Sequence, residues 1–335
     1  METIAGFSKL TKDQKMNWIA SQIDAESAKA IEGLKRFWSK DPKEQKKFDE
    51  FSENTISNFY LPYGVAPNFM INGKIYCIPL AIEESSVVAA ASKAANFWLS
   101  RGGFHAKVIS TTKVGQVHFL WHSKKKELQN LFKENKKEIM RAIAPFCQKM
   151  NERGGGVIEL KLVDKSDSLE NYFQIEASFE TCDAMGANFI NTILEEIAKY
   201  MRSNWAREKL EIIMSILSNY TPDCLVEAWV ECPVEELDEM SNGMNAVDFA
   251  RRFKLAVDIA RVDKFRAVTH NKGIFNGIDA VVLATGNDFR ATEACGHAYA
   301  AEKGYKGLTI VQNKNNVFRF SLKIPLALGT VGGLT

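Results

Sequence analysis

The chain has 335 residues, 46% of them apolar, and its 43 lysines and arginines nearly balance its 41 aspartates and glutamates. This length allows two or three domains of ordinary size. The charge balance argues against nucleic acid or an anionic membrane as the main partner. No apolar run approaches the roughly 20 residues that are needed to cross a bilayer.

The six cysteines are scattered and form no CxxC pair, and the N-terminus lacks the basic start and apolar stretch of a secretory signal. In such a chain, cysteines are typically buried, reduced thiols rather than disulfides or metal ligands. We therefore expect a cytoplasmic protein without a metal site.

Residues 1–50 are predicted to form a polar helical region, because their aromatic and aliphatic residues recur at helical spacing. A β-rich run, Lys74–Ala81, leads into Glu83-Glu84-Ser85-Ser86 and an alanine-rich helix that ends at Gly102-Gly103. The serines are good N-cap residues. The two glutamates thus lie at a strand-to-helix junction, where they either stabilise the helix dipole or face a cleft.

Residues 109–216 have the predicted order β-α-β-β-α-β, which is that of a ferredoxin-like domain. This domain interrupts a larger α/β domain formed by residues 51–108 and 217–335. The larger domain has predicted helices near Asn245–Ala260 and Arg290–Glu302, and predicted strands at Ala280–Ala284 and Val317–Ile324. The fold class is therefore α+β.

A motif at Cys182–Asn188 follows a predicted strand and opens a helix. Backbone N–H groups at such a point can hold a phosphate, and Gly186 permits a ligand to approach the backbone closely. The motif is not a GxGxxG, so an ordinary dinucleotide fingerprint is not indicated. A helix start without any ligand is the alternative.

Two further polar segments are Arg266–Gly273, interpreted as a loop, and Ala284–Ala291 after the predicted strand. A lysine in such a loop, Lys272, can stabilise a developing oxyanion. Asp288 either caps the next helix or pairs with a lysine as a buried carboxylate. The alternative interpretation of both segments is that their polar residues are simply in contact with solvent or cap a helix and have no catalytic role.

Taken together and in this order, these segments resemble the hydroxymethylglutaryl-CoA reductase family, in its soluble bacterial class (class II). The resemblance covers about residues 50–335 and rests on three runs: ENTISNFYLPYGVAPNFMINGKIYCIPLAIEESSVVAAAS, DAMGANFINT and THNKGIFNGIDAVVLATGNDFRATEACGHAYA. It implies a CoA-substrate domain (51–108 and 217–335) with an inserted NAD(P)-binding domain (109–216). It also implies two hydride transfers to a thioester, giving mevalonate and CoA.

By motif match, the resemblance makes Glu84 the general acid, lets Lys272 stabilise the oxyanion, and makes Asp288 the residue that couples them. It implies that the Arg266 guanidinium binds the substrate's terminal carboxylate through two hydrogen bonds. It also implies three further substrate-binding residues: Ser86, Asn271 and Asn219. The cofactor cleft is expected to be lined by Asp183, Met185, Gly186 and Asn188. Ser85 departs from the family's usual proline after the catalytic glutamate.

The resemblance further implies a homodimer with active sites at the subunit interface and small-molecule substrates. Lys149 and Arg153 favour NADPH over NADH as the cofactor, because a 2′-phosphate attracts basic side chains. Family members continue beyond a Gly-Gly such as Gly332-Gly333 into a helical flap with a histidine that protonates CoA, and none of the five histidines here matches it. We expect that the printed chain lacks this flap rather than that thioester cleavage is impaired.

Two other functions stay open at this point. One is the degradative oxidation of mevalonate by the same residues, because catalytic groups serve both directions of a reaction. The other is a CoA- or nucleotide-binding protein without turnover.

Overall fold

The computed structural model describes residues 3–22, 27–240 and 243–329. Gly332-Gly333, beyond which the resemblance implies a helical flap, lies outside the described residues. The chain divides into two compact units, residues 1–62 and 63–335.

The first unit is helical, as the sequence predicts. Its helices are α1 (Lys12–Ser21), α2 (Ser27–Lys35) and α3 (Pro42–Asp49). Helix α1 begins with a capping box in which the Thr11 and Gln14 side chains bond each other's backbone N–H groups. Asp41 caps α3 by accepting from the Lys43 N–H at 2.8 Å.

The second unit starts with an antiparallel hairpin, β1 (Tyr63–Ile71) and β2 (Lys74–Ala81), which turns at Asn72-Gly73. Helix α4 (Val87–Leu99) follows and packs on β1. The predicted strand Lys74–Ala81 is confirmed, whereas β1 was not predicted. Its Pro67 and the irregular register between Ala66 and Phe69 interrupt the alternation that marks a strand.

The chain then forms β3 (His105–Val108), β4 (Lys113–Trp121), α5 (Lys125–Asn151), β5 (Gly156–Asp164), β6 (Tyr172–Glu180), α6 (Ala187–Asn204) and β7 (Leu210–Leu217). From β4 to β7 the elements follow the β-α-β-β-α-β order, and the antiparallel sheet has the strand order β5-β6-β4-β7. Buried and part-buried residues alternate strictly along β4 and β6. Their buried faces pack with α5 and α6 into one large core.

The remaining elements are β8 (Leu225–Pro233), α7 (Ala246–Val262), α8 (Lys264–Ala284), α9 (Phe289–Ala301), β9 (Thr309–Lys314) and β10 (Val317–Pro325). The second four-stranded sheet has the order β3-β8-β10-β9 and is antiparallel throughout. Helix α7 packs on β9, α9 on β10, and α8 on β2.

The expected loop at Arg266–Gly273 and the expected strand at Ala280–Ala284 are both wrong, because a single helix, α8, runs through them. Asp263 caps this helix by accepting from the Arg266 N–H at 2.7 Å. A short apolar run fits a buried helix as well as a strand, and only the packing of Ala280 against β2 and its neighbours decides between them. The polar segment Ala284–Ala291 therefore follows a helix rather than a strand.

All six cysteines have free thiols, and four are buried, but Cys77 is exposed, contrary to expectation. Across the described parts of the chain, no helix has the length and apolar character of a membrane span.

Candidate active site

The first part of the candidate site is the loop between β2 and α4, which holds Glu83 to Ser86. Both glutamates are exposed. Ser86 occupies the N-cap position of α4 in a left-handed conformation, with φ of 74°, and its side chain makes no capping hydrogen bond. A non-glycine residue in this conformation is strained, and such strain concentrates at functional sites. The Ser86 hydroxyl is thus not used for capping, unlike the role that serines favour at helix starts.

Helix α8 supplies the second part of the site. Lys272, Asn276 and Asp279 follow at intervals of four and three residues, so they lie on one face of the helix. They line a cleft together with Glu83 and Glu84. The cleft exists because α8 packs on β2, the strand that leads into the glutamates.

Lys272 and Glu84 form an ion pair in this cleft, in which the Lys272 ammonium donates a hydrogen bond to Glu84 Oε2. The two residues are 188 positions apart in sequence. Their side chains keep 60% and 44% of their surface exposed, so the pair contributes only about 0–1 kcal/mol to stability. The arrangement leaves an ammonium and a carboxyl group accessible to a small molecule.

Two carboxyl groups lie deeper in the same cleft. Glu293, on α9, hydrogen-bonds Asp279, and burial followed by this bond and the neighbouring negative charge raises the pKa of Asp279 to about 7. Asp279 Oδ1 is buried and has no hydrogen-bond partner in the described residues. Ionising both of two adjacent carboxyl groups costs free energy because their negative charges repel. The pair therefore holds a proton near neutral pH.

Helices α8 and α9 approach closely enough for this carboxyl pair because residue 296 is a glycine. A Cβ atom at Gly296 would lie 2.3 Å from the ring of Phe275, which is buried on α8. Sequence reasoning missed Asn276, Asp279 and Glu293. The signal for Asn276 and Asp279 was their helical spacing from Lys272, which the loop interpretation of this segment concealed.

Asp288 occupies the N-cap of α9, where its side chain accepts from the Ala291 N–H at 3.1 Å. Within the described residues, no hydrogen bond or ion pair joins Asp288 to Lys272 or Glu84. The structure thus brings Glu84 and Lys272 together and gives Asp288 the capping role.

Arg266 and Asn271 do not line the cleft. Arg266 is exposed in the first turn of α8. Asn271 is fully buried, and its amide group bonds the Lys306 carbonyl and the Leu308 N–H, each at 3.0 Å. Its amide therefore has a structural role, and Asn276 is the amide that faces the cleft.

The Cys182–Asn188 motif forms the loop before α6, with Gly186 at the N-cap and φ of 82°. A Cβ atom there would lie 2.4 Å from Thr181 Cγ2, so the glycine is required by its own loop. Cys182 Sγ donates to the Arg153 carbonyl at 3.2 Å, which ties this loop to the end of α5. Asp183 is exposed in the loop.

Two cavities flank the start of α6. One is lined by Asn188 together with Lys149 and Arg153 of α5. The other contains Met185 and Asn219, two of the residues expected in the site. The basic side chains and the free N–H groups of the first turn of α6 are the donors that a phosphate requires.

Comparison with known proteins identifies the family of this chain. The family model of hydroxymethylglutaryl-coenzyme A reductase matches residues 12–335. The chain belongs to this family. Its members are NAD(P)H-dependent oxidoreductases, and the resemblance that the motifs indicate is confirmed.

A hydroxymethylglutaryl-CoA reductase from Archaeoglobus fulgidus is 35% identical over 99% of this chain and 73% of its own length. A probable reductase from Borreliella burgdorferi is 30% identical over 100% of this chain and 75% of its own. The class II reductase from Streptococcus pneumoniae, solved with NADPH in open conformations, has a TM-score of 0.77 and 31% identity. That match covers 99% of this chain and 88% of the solved one.

We predict that Asp279→Asn raises stability increasingly as the pH rises from about 4 to 8. The folded protein has a pKa of about 7 at Asp279 against an ordinary value of 3.8. The folded state binds this proton more tightly than the unfolded state does. The resulting contribution to the free energy of unfolding is fully present below pH 3.8 and is lost as the pH rises through about 7. Asparagine does not titrate, so the variant avoids this loss. Thermal unfolding at several pH values measures the difference.

The matched control is Asp223→Asn, which changes an exposed carboxylate. Its effect on the melting temperature should vary little with pH. A constant difference between parent and Asp279→Asn across the pH range would contradict the assignment of a protonated carboxyl pair.

Proposed function

We propose that this chain reduces the thioester of hydroxymethylglutaryl-CoA in two successive hydride transfers, releasing mevalonate and CoA. The observation that supports this proposal most directly is the Lys272–Glu84 ion pair in an open cleft. Family membership supplies the reaction class, and the pair supplies the charge and the proton that this reaction needs.

The chemistry requires a cation and an acid at one point. A bound reduced nicotinamide supplies the hydride. Arrival of hydride at the carbonyl carbon places negative charge on the carbonyl oxygen, and the Lys272 ammonium stabilises that charge. Glu84 delivers a proton to the same oxygen. Because the Lys272 ammonium is hydrogen-bonded to Glu84, a proton can pass from the ammonium to the carboxylate, and the pair as a whole supplies it.

Beside this pair we assign the substrate contacts to Ser86 and Asn276, whereas Asn219, which lines the cavity with Met185, stays a candidate from the family resemblance. The Ser86 hydroxyl makes no capping bond, and the Asn276 amide lines the cleft with Lys272. Arg266 stays a candidate for the terminal carboxylate from the family resemblance. For Asp288 to join the catalytic pair, it has to leave its capping bond, at a cost of about 1 kcal/mol.

For the cofactor we propose NADPH over NADH. Residues 109–216 would form the NAD(P)-binding domain, inserted in a substrate domain of residues 51–108 and 217–335. Lys149 and Arg153 face one cavity with Asn188 at the start of α6. Two basic side chains suit a ribose 2′-phosphate, whereas a free 2′-hydroxyl favours an acidic partner. The other proposed cofactor-binding residues lie in the loop that leads into α6: Asp183, Met185 and Gly186.

We also propose a homodimer. An apolar patch at the junction of α7 and α8 supports it, since Val262 and Phe265 are each 87% exposed and Leu255, Ile259 and Val268 about half exposed. On α7 these residues recur at helical spacing, so they form a stripe. Exposed apolar patches of this kind mark interaction surfaces. The six free thiols fit a reducing compartment, so the cytoplasm stays the proposed location.

Lys272→Ala is expected to lower kcat by at least about 100-fold, equivalent to roughly 3 kcal/mol of transition-state stabilisation. The melting temperature should hardly change, because the ion pair is exposed. The loss of reduced-nicotinamide absorbance with hydroxymethylglutaryl-CoA measures the rate. Lys264→Ala, an exposed lysine on the same helix, is the control and should keep its activity. Retained turnover in Lys272→Ala would remove this residue from the mechanism.

Replacing Lys149 and Arg153 together by alanine should raise the KM for NADPH by about 10- to 100-fold and leave the KM for NADH nearly unchanged. The reason is that only NADPH carries the phosphate these side chains would bind, and a hydrogen bond to a charged group is worth about 1.5–3 kcal/mol. The control replaces Lys133 and Lys137, exposed on the same helix. An equal effect on both cofactors would rule out the 2′-phosphate assignment.

Val262→Asp should shift the protein from dimer to monomer in sedimentation velocity and reduce its activity, because a charge in an apolar interface is desolvated without a partner. Val247→Asp is the matched control, since it is 67% exposed near the other end of α7. The dimer proposal fails at this surface if Val262→Asp leaves the sedimentation coefficient of the parent unchanged.

A further inference from the structure

Lys113 is a lysine in the interior. It is the first residue of β4 and only 4% exposed. Along this strand, buried and part-buried residues alternate. Lys113 lies on the same, buried face of the strand as Gly115, Val117 and Phe119. The pattern of the strand therefore places an ammonium group at a position that packing alone would fill with an apolar side chain.

Within the described residues, no group accepts a hydrogen bond from the Lys113 ammonium, and no carboxylate lies within ion-pair distance of it. Glu180, at the end of the adjacent strand β6, is already engaged, because its carboxylate accepts from Thr111 Oγ1 and from the Cys182 N–H. The Cys224 thiol is near enough to feel the lysine's charge, which acts to lower the thiol's pKa against the larger effect of burial. Lys113 Nζ is not one of the fully enclosed side-chain atoms without a partner in the described residues, so the stem of the side chain is buried while the ammonium borders the adjoining cavity.

Lys113 lines the cavity that also contains Met185 and Asn219. The walls come from the starts of β4 and α6, from the end of β7, and from α9. Apart from Lys113 and Asn219, the lining side chains are apolar or carry a hydroxyl or a thiol, so the walls contain no carboxylate. A ligand here meets apolar walls, one amide and one cation.

This cavity and the one with Lys149 and Arg153 lie on either side of the start of α6. We place the phosphate-bearing end of NADPH in the basic cavity and the nicotinamide end in the cavity of Lys113, because both cavities are lined by residues of the first turn of α6. A nicotinamide ring suits apolar walls, and its carboxamide oxygen is an acceptor for an ammonium, which has three donors and no acceptor. The assignment thus rests on the proposed function.

We propose that Lys113 makes the site discriminate between the two redox states of the nicotinamide. The reduced ring is neutral, whereas the oxidised ring carries a positive charge. A cation in a cavity without any carboxylate repels the oxidised ring and leaves the reduced ring its hydrogen bond. Lys113 therefore favours binding of the reduced cofactor and release of the oxidised one, which favours reduction of the acyl substrate over oxidation of the alcohol.

The test measures dissociation constants of NADPH and NADP+ for the full chain, by calorimetry, in the parent and in Lys113→Met and Lys113→Gln. Both variants remove the charge, and glutamine retains a hydrogen-bond donor. We expect the ratio Kd(NADP+)/Kd(NADPH) to fall by about tenfold or more in both, because two like charges at close range in a poorly solvated site repel strongly. Lys113→Gln should keep more NADPH affinity than Lys113→Met.

The stability of the ligand-free protein separates this role from a structural one. Lys113→Met should melt close to the temperature of the parent, because the ammonium has no hydrogen-bond or ion-pair partner in the described residues and methionine fills the same buried stem position. Lys107→Met, an exposed lysine on β3, is the control and should change neither the melting temperature nor the ratio.

An unchanged ratio in both variants, with the parent binding both nucleotides, would overturn the inference and leave the proposed function intact. Weaker binding of hydroxymethylglutaryl-CoA to Lys113→Met with an unchanged nucleotide ratio would also overturn it, since Lys113 would then hold the acyl substrate's carboxylate. Failure of the parent to bind either nucleotide would instead refute the proposed function, and the inference with it.

Discussion

The contact of helix α8 with strand β2 is the constraint on which the candidate site depends. One side of α8 is buried through residues such as Phe275 and Ala280. This orientation leaves Lys272, Asn276 and Asp279 on a polar face beside the loop that follows β2. Apolar burial fixes the helix, and the fixed helix in turn sets the position of the ammonium relative to Glu84. The ion pair is thus a consequence of packing and contributes little to the stability of the fold.

The site combines accessible charges with charges that the fold holds at a cost. Lys272 and Glu84 are open to solvent, so a small molecule can reach them. Asp279 and Glu293 share a proton because α9 lies against Phe275 at Gly296. The stem of Lys113 is buried, and its ammonium borders a cavity without a hydrogen-bond or ion-pair partner in the described residues. Groups of the second kind are expected at functional positions, because stability alone would select against them.

Several elements were predictable because their local patterns were strong. The alternation in β4 and β6 and the long amphipathic helices α5 and α6 fixed the β-α-β-β-α-β order. Helix α8 was not predictable in the same way. Its glycines and polar residues resemble a loop, and its valine-rich end resembles a strand, so propensity indicated the wrong structure until packing decided it. That error concealed Asn276 and Asp279 and favoured Asn271, which is buried with its amide bonded to the backbone.

The sequence by itself determined the family, since its motifs resemble the reductases and the comparisons confirm them. It also determined which residue types the chemistry uses. Tertiary structure alone decided which of these residues meet. Lys272 and Glu84 are 188 positions apart, and no local pattern specifies a contact over that separation. The burial of Lys113 and the shared proton of Asp279 likewise arise from the solvent exclusion and close approach of elements that are distant in the chain, which are properties of packing.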